Sequence, residues 1–311
     1  MAERNRWFAI AEFGFVSGMR LLFWAYRHSG PFLFGLVLKP VVFYYFLTNR
    51  LARNASLEFL QRAHRFGARG MIAQPGWRDV YRHMSAFAES AVDKLGVWTD
   101  SDILDRVVFP HRFVLVDELE RGQGVVILGA HLGNLEICRG LSRRNPLLKL
   151  NILVHTRHAD KFNKLLAERE AHRELELIEV SELSPATALR LTEAVKRGEF
   201  IAVLADRIPV ASRHRKRRLE FLGEYAEFPE GPFILANLLK CPVYTLFCTR
   251  TDSGYEVRCD LLSRQIVLPR GNREAALEHY MNRYVKTLQQ HVLDTPFQWF
   301  NFYPFWSHDG P

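Results

Sequence analysis

His131 and Glu136 stand five positions apart in Gly129-Ala-His-Leu-Gly-Asn-Leu-Glu136, directly after the apolar run Val125–Leu128. A histidine at the mouth of a strand is suited to one task above others. A hydroxyl is a weak nucleophile until a base removes its proton as it attacks, and imidazole does this near neutral pH. A carboxylate on the far ring nitrogen fixes the tautomer and stabilises the imidazolium that forms. Gly129 and Gly133 permit a tight turn and close approach of a substrate. Glu136 falls where a helix begins, so the helix dipole keeps it ionised. These residue types in this order predict a His131–Glu136 dyad acting as general base.

Spacing alone is weak evidence. With 12 histidines and 34 acids in 311 residues, roughly one His-x4-acid pair arises by chance, and His155 with Asp160 is a second example. Only His131 follows a compact apolar strand and is bracketed by glycines. No GxSxG elbow is present, so no serine acyl-enzyme is expected. The four cysteines (Cys138, Cys241, Cys248 and Cys259) form no CxxC pair and no zinc-type spacing. Free thiols in a reducing compartment and no metal site are the expectation.

The elements that would position this pair alternate from about residue 111 onward. Short apolar runs bounded by turn residues read as strands at 125–128, 149–154, 200–205, 242–249 and 255–260. Helices fit at 134–143, 160–174, 185–197 and 230–240, and a last one at 273–292 has Leu277, Tyr280, Tyr284, Leu288 and Val292 on one face. Ser184-Pro185 is a helix start and Gly198 a stop. This predicts an α/β domain: a mixed, mostly parallel sheet flanked by helices. Residues 78–108 read as helical.

Ahead of the α/β part, residues 8–26 and 31–48 are apolar but interrupted, by Glu12 and Arg20 in the first and by Lys39-Pro40 in the second. A clean spanning helix needs about 20 uninterrupted apolar residues. A hairpin, re-entrant or interfacial anchor fits as well as a span, and a buried helix pair is the alternative. No small-residue cleavage site follows a short apolar core, so a signal peptide is not expected. Arg50, Arg53, Arg62, Arg65 and Arg69 follow, and the whole chain carries a net charge of +8. A basic segment beside an apolar one suits an anionic cytoplasmic leaflet. The expected division is 1–70 for membrane-anchoring helices and 71–311 for the α/β domain. The run Arg213–Arg218 lacks interleaved aromatics, so an anionic lipid or an acidic protein fits it and nucleic acid does not. The tail Phe297–Trp306 is too aromatic for a free end; it either seals the core or meets the membrane interface.

Gly-Ala-His131-Leu-Gly-Asn-Leu-Glu136 resembles the HxxxxD/E signature of the lysophospholipid and lipid A acyltransferase superfamily. Its Gly-Asn pair is more similar to the lauroyl/myristoyl-type lipid A enzymes than to the glycerol-phosphate branch. The likeness runs from the N-terminal apolar segment through Ala205-Asp206 and Phe221-Leu-Gly223 to Pro229-Glu-Gly231. The 212–218 loop and the aromatic tail are more similar to a sister group of predicted acyltransferases found with aryl polyene-type lipid pathways.

The resemblance implies fatty acyl transfer from an acyl thioester, on acyl carrier protein or CoA, to a lipid hydroxyl at the cytoplasmic face of a bacterial inner membrane. His131 and Glu136 are then catalytic, and no cofactor beyond the thioester co-substrate is implied. Asp206 and Arg207 follow the 200–205 strand, whose carboxyl end is where ligand crevices form, and are substrate-binding candidates together with Asn134 of the motif; by the resemblance Asp206 also matches a required acid. Arg157 and Arg173 are two candidates for the family's required arginine, either of which would hold a phosphate. Gly223 and Gly231 would present backbone amides at the start of the 230–240 helix, where an oxyanion or phosphate fits. The rival readings are a lipid-binding protein without catalysis and a thioesterase that uses the same dyad.

Overall fold

The computed structural model describes residues 35–36, 38–98, 102–154, 175–179, 184–208 and 215–306. Residues 1–34 and 37 of the expected N-terminal anchor, the expected 160–174 helix, Arg157, Arg173, Arg213 and His214 lie outside the described residues.

The helices are α1 (residues 38–48), α2 (Arg50–Arg65), α3 (Trp77–Trp98), α4 (Arg112–Glu120), α5 (Leu135–Ser142), α6 (Pro185–Lys196), α7 (Gly231–Leu239) and α8 (Arg273–Asp294). The strands are β1 (Val107–Val108), β2 (Val126–Gly129), β3 (Leu150–Val154), β4 (Leu175–Glu179), β5 (Phe200–Leu204), β6 (Lys216–Phe221), β7 (Glu224–Pro229), β8 (Val243–Thr251) and β9 (Gly254–Ser263). Seven of them form one sheet in the order β1-β9-β8-β2-β5-β3-β4, and β6 and β7 form a separate hairpin. Every pairing in the large sheet is parallel except β8 with β9. The fold is α/β with a mixed, mostly parallel sheet flanked by helices, and each strand read from the sequence is present within a few residues.

β2 is central and buried along its whole length, which explains why its apolar run is continuous instead of alternating. Val126 and Leu128 enter one core with α2, α3, α6, α7, α8 and the aromatic tail. Val125 and Ile127 enter a second core on the opposite face, with Leu150, Phe200, Leu246 and Val257. α8 packs Leu277, Met281, Tyr284, Leu288 and Val292 inward, a spacing of three and four residues that keeps one face on the sheet. α6 begins as expected: Ser184 Oγ accepts from the Thr187 amide at 3.1 Å, with proline in the first turn.

Four parts of the architecture differ from the sequence reading. α3 stops at Trp98 and is followed by a 3-10 turn over Asp102–Arg106 and then β1, so 78–108 is not one helix; Val107 and Val108 pair with Tyr255 and Glu256 instead. α4 is an additional helix. β4 is an additional edge strand. The basic 212–218 segment enters a hairpin from Lys216 onward, because Leu219 and Phe221 alternate with outward Arg218 and Glu220. Leu222 and Gly223 both have positive φ, 52° and 81°, as a two-residue turn matched to strand twist requires.

α2 carries the expected basic segment, yet Ala52, Phe59, Leu60 and Ala63 are buried in the same core as β2 and β5. Just before it, Val41, Phe43, Tyr44 and Leu47 are exposed, as are Leu51 in its first turn and Trp77 at the start of α3. Among the described residues no helix is long and apolar enough to cross a membrane.

Candidate active site

The site is set by strand register. β2 and β5 are parallel neighbours, with Gly129 opposite Leu204. The Ala205 amide donates to the Gly129 carbonyl at 3.0 Å, extending the ladder past both strand ends. His131 and Asp206 each lie two residues beyond those partners, and so emerge side by side at the carboxyl end of the sheet, where open α/β sheets form ligand crevices.

Asp206 takes both donors that His131 offers. The His131 amide donates to Asp206 Oδ2 at 2.9 Å, and His131 Nδ1 lies 2.8 Å from Asp206 Oδ1. A carboxylate only accepts, so Nδ1 carries the proton and Nε2 is left as the basic nitrogen. The Trp299 indole N–H is a third donor to Asp206, at 3.2 Å from Oδ2. Asp206 is 1% exposed. Its burial raises the carboxyl pKa, but the His131 partnership and nearby Arg207 outweigh that and hold it below the ordinary value. Burial and Arg207 push the His131 imidazole below its ordinary 6.5, and Asp206 opposes them only in part. The base is therefore neutral at pH 7.

The turn carrying His131 is clamped on both sides. The Phe300 amide donates to the His131 carbonyl at 2.9 Å, the Gly133 amide to Gln298 at 2.8 Å, and the Asn134 amide to Cys248 at 2.7 Å. Gly133 has φ +69° and a Cβ there would lie 1.9 Å from the Cys248 carbonyl oxygen, so only glycine fits.

His131 opens onto a cavity of about 1710 Å³ along the face of the sheet that carries α4 and α5. Ile127, Leu150, Phe200 and Leu246 form its floor, while Leu115, Leu119 and Leu141 are among its helical lining. That volume exceeds the roughly 300–1,000 Å³ of ordinary small-molecule sites. Lys94, Arg112, Arg144 and Arg207 also line it. The arrangement offers a large, mostly apolar cavity with a neutral base and several cations in its wall.

The sequence-predicted residues separate clearly. Asp206, expected to bind substrate, is the acid on the ring nitrogen. Glu136, expected on that nitrogen, lies in the cavity wall and accepts from Arg139 Nη1 at 3.2 Å. The reason is geometric: Glu136 follows the His turn into α5, whereas Asp206 arrives in ladder register from the neighbouring strand. Asn134 does not line the cavity. It is the 1% exposed N-cap of α5, accepting from the Glu136 amide at 3.2 Å and donating to the Ser90 carbonyl at 3.1 Å.

Arg207 does line the cavity. Its guanidinium donates to the Phe300 carbonyl and lies over the Tyr303 ring, while Nε is buried with no hydrogen-bond partner among the described residues. Gly223 and Gly231 are absent from the cavity lining. Gly223 turns the β6–β7 hairpin against the Phe66 ring, and Gly231 opens α7, whose N-cap Glu230 is paired with Arg217. Trp299 was legible only as part of an aromatic tail; its bond to Asp206 has no spacing signature. Among the described residues no group of three or more His, Cys, Asp or Glu side chains is placed to hold a metal.

The sequence model of the bacterial lipid A biosynthesis acyltransferases matches residues 31–308. The chain belongs to that family. The match takes in β2, the His131 turn, Asp206 and the tail that seals them. No curated protein matches the chain.

Behind the site of this family member lies a second histidine. His83 is fully buried, with Nδ1 2.8 Å from Ser56 Oγ and Nε2 3.0 Å from the Trp299 carbonyl oxygen. Burial pushes its pKa down to about 4. Between that value and 6.5 the unfolded chain binds a proton that the folded chain refuses, so stability falls as pH drops through this window. The loss attributable to His83 is about 3 kcal/mol when complete. Urea unfolding at pH 6.5 and pH 4 should show it as a pH dependence that diminishes in His83→Gln. His131 adds a loss of the same sign, which remains in that variant.

Proposed function

We propose that this protein moves a fatty acyl group from an acyl thioester to a lipid hydroxyl, with His131 as general base and Asp206 as the acid that orients it. The observation that carries this reading is the His131 Nδ1–Asp206 Oδ1 pair, 2.8 Å apart, opening onto a large, mostly apolar cavity. His131 Nε2 takes the proton of the acceptor hydroxyl as its oxygen bonds to the thioester carbonyl carbon. The tetrahedral oxyanion collapses, the carbon–sulfur bond breaks, and the leaving thiolate takes the proton from the His131 imidazolium. The products are an acyl ester and a thiol, with the imidazole neutral again. The chemistry belongs to the acyltransferase class that acts on thioesters, EC 2.3.1.

The cavity accommodates the acyl chain. The cations Arg112, Arg144 and Lys94 in its lining suit an acidic acyl carrier protein or the phosphates of CoA. Residues 1–70 meet an anionic membrane, with α2 also serving the core; exposed Phe43, Tyr44, Leu47 and Trp77 support this. The setting is the cytoplasmic face of a bacterial inner membrane, and the acceptor is a lipid A precursor or a related lipid. No cofactor beyond the thioester and no nucleic acid is involved.

The test is incubation of the full-length protein with acyl-carrier protein or acyl-CoA, with and without a lipid A precursor, followed by mass spectrometry. The expected result is acylated lipid that forms only with acceptor present, and unmodified protein after donor alone. Release of free fatty acid at the same rate without acceptor would make the protein a thioesterase, and a covalent acyl adduct would contradict direct transfer.

A further inference from the structure

The acid behind the base is itself held from behind. Trp299 is fully buried, its indole edge-on to Phe59, Phe221 and Phe305 at centroid distances of 4.9, 5.2 and 4.9 Å. An indole in such a box must still place its N–H on an acceptor, and here the acceptor is Asp206 Oδ2. The backbone of the same residue is held separately. Its carbonyl takes His83 Nε2, and His83 Nδ1 faces Ser56 Oγ. The directions follow from chemistry: a carbonyl only accepts, so Nε2 carries the His83 proton, Nδ1 accepts, and the serine hydroxyl donates. Ser56 lies on α2 and His83 on α3. Two sets of hydrogen bonds, joined through the covalent frame of Trp299, therefore connect α2 and α3 to the base.

We propose that Trp299, fixed by His83 and Ser56, is a positioning residue for the base: its indole N–H holds Asp206 where Asp206 holds His131. Packing alone does not require this arrangement, since a phenylalanine fills the same aromatic box without offering a donor. The third donor also spreads the Asp206 charge, which weakens its pull on a proton at His131. Removing it leaves Asp206 a stronger partner for imidazolium, so the His131 pKa rises. The other charged or titratable groups near this pair are Arg207 at the end of β5, Lys94 on α3, Glu136 on α5, Tyr284 on α8 and Tyr303 in the tail. All stay in place in the variants below.

The inference rests on reading His131 as the base, but its test does not need turnover. NMR titration of the His131 ring in the full-length protein compares wild type with Trp299→Phe, His83→Phe and His83→Gln. In Trp299→Phe the His131 pKa should rise by about half a unit or more. His83→Phe should move it the same way by less, and His83→Gln, whose amide can donate to Trp299 and accept from Ser56, should restore it. With an active donor and acceptor, Trp299→Phe should lower kcat about tenfold and leave the KM for donor nearly unchanged. A cooperatively folded Trp299→Phe in which His131 titrates as in wild type overturns the proposal. Should that variant fail to fold, identical His131 titration in His83→Phe and wild type overturns it equally. If the titrations shift as stated while the wild type transfers no acyl group from any thioester, the positioning role stands and the acyl-transfer reading falls.

Discussion

Replacing His131 with alanine should lower the rate of acyl transfer by about 10²–10⁴, the range a positioned general base contributes. The loss should fall on kcat, because apart from His131 the cavity proposed for the acyl chain is lined by residues of β2, β3, β5, β8 and the helices over them, which the variant leaves unchanged. The wild-type rate should rise with pH on its acid side and level off by neutrality. Only the unprotonated ring accepts a proton, and burial together with Arg207 puts its pKa below 6.5. That acid limb should vanish in His131→Ala. Imidazole supplied in solution should recover part of the rate, since the deleted ring opens onto the cavity; recovery also separates loss of the base from loss of the fold. A folded His131→Ala with near-normal turnover removes the histidine from the mechanism.

Much of the fold was legible because it obeys simple periodicities. β2, β3, β5 and β8 are largely apolar runs bounded by turn residues, β9 alternates buried Tyr255, Val257 and Cys259 with Glu256, Arg258 and Asp260, and α8 repeats its apolar positions every three to four residues. α4 escaped for a physical reason. Phe113, Leu115, Val116 and Leu119 line the cavity, Leu115 and Leu119 also touch the core on that face of the sheet, and buried Glu118 anchors the helix by accepting from Tyr244 Oη and Arg264 Nη1. A helix that presents apolar residues to a cavity and buries an acid has no amphipathic stripe. The β6–β7 hairpin was hidden because Lys216, Arg217 and Arg218 read as part of a charged loop. Arg217 is in fact paired with Glu230, Glu274 and Glu278 across the hairpin and α8.

The site was half legible. A histidine after a buried strand is a local signal. Its acid partner is not local: Asp206 reaches His131 through the parallel β2–β5 register, 75 residues along the chain. The signal available in the sequence was that His131 and Asp206 both follow short apolar strands. Recognising that those strands are neighbours would have paired the two residues. The nearer carboxylate, Glu136, answers a spacing motif that the three-dimensional arrangement does not need for orienting the ring.

The decisive comparison is Asp206→Asn against Glu136→Gln. An asparagine at 206 keeps the shape and can still accept from the His131 amide, but its NH2 group facing Nδ1 donates. That forces the imidazole proton onto Nε2, the nitrogen that must accept from the substrate, and the base is then in the wrong tautomer. Loss of an orienting carboxylate in this way is worth ~10³–10⁴ in rate. The variant also leaves the Trp299 N–H with a weaker acceptor, so its melting temperature should fall as well. Glu136→Gln changes a residue that bonds Arg139 in the cavity wall, and its rate should stay within about tenfold of wild type, as for removal of a single hydrogen bond to a charged group. Both rates are measured on folded protein at pH 7.5 to 8, above the acid limb, so that a shifted His131 pKa does not pass for a lost base. If Glu136→Gln is as inactive as expected for Asp206→Asn while Asp206→Asn keeps most of its activity, the motif acid orients the ring during turnover and the register-paired acid does not.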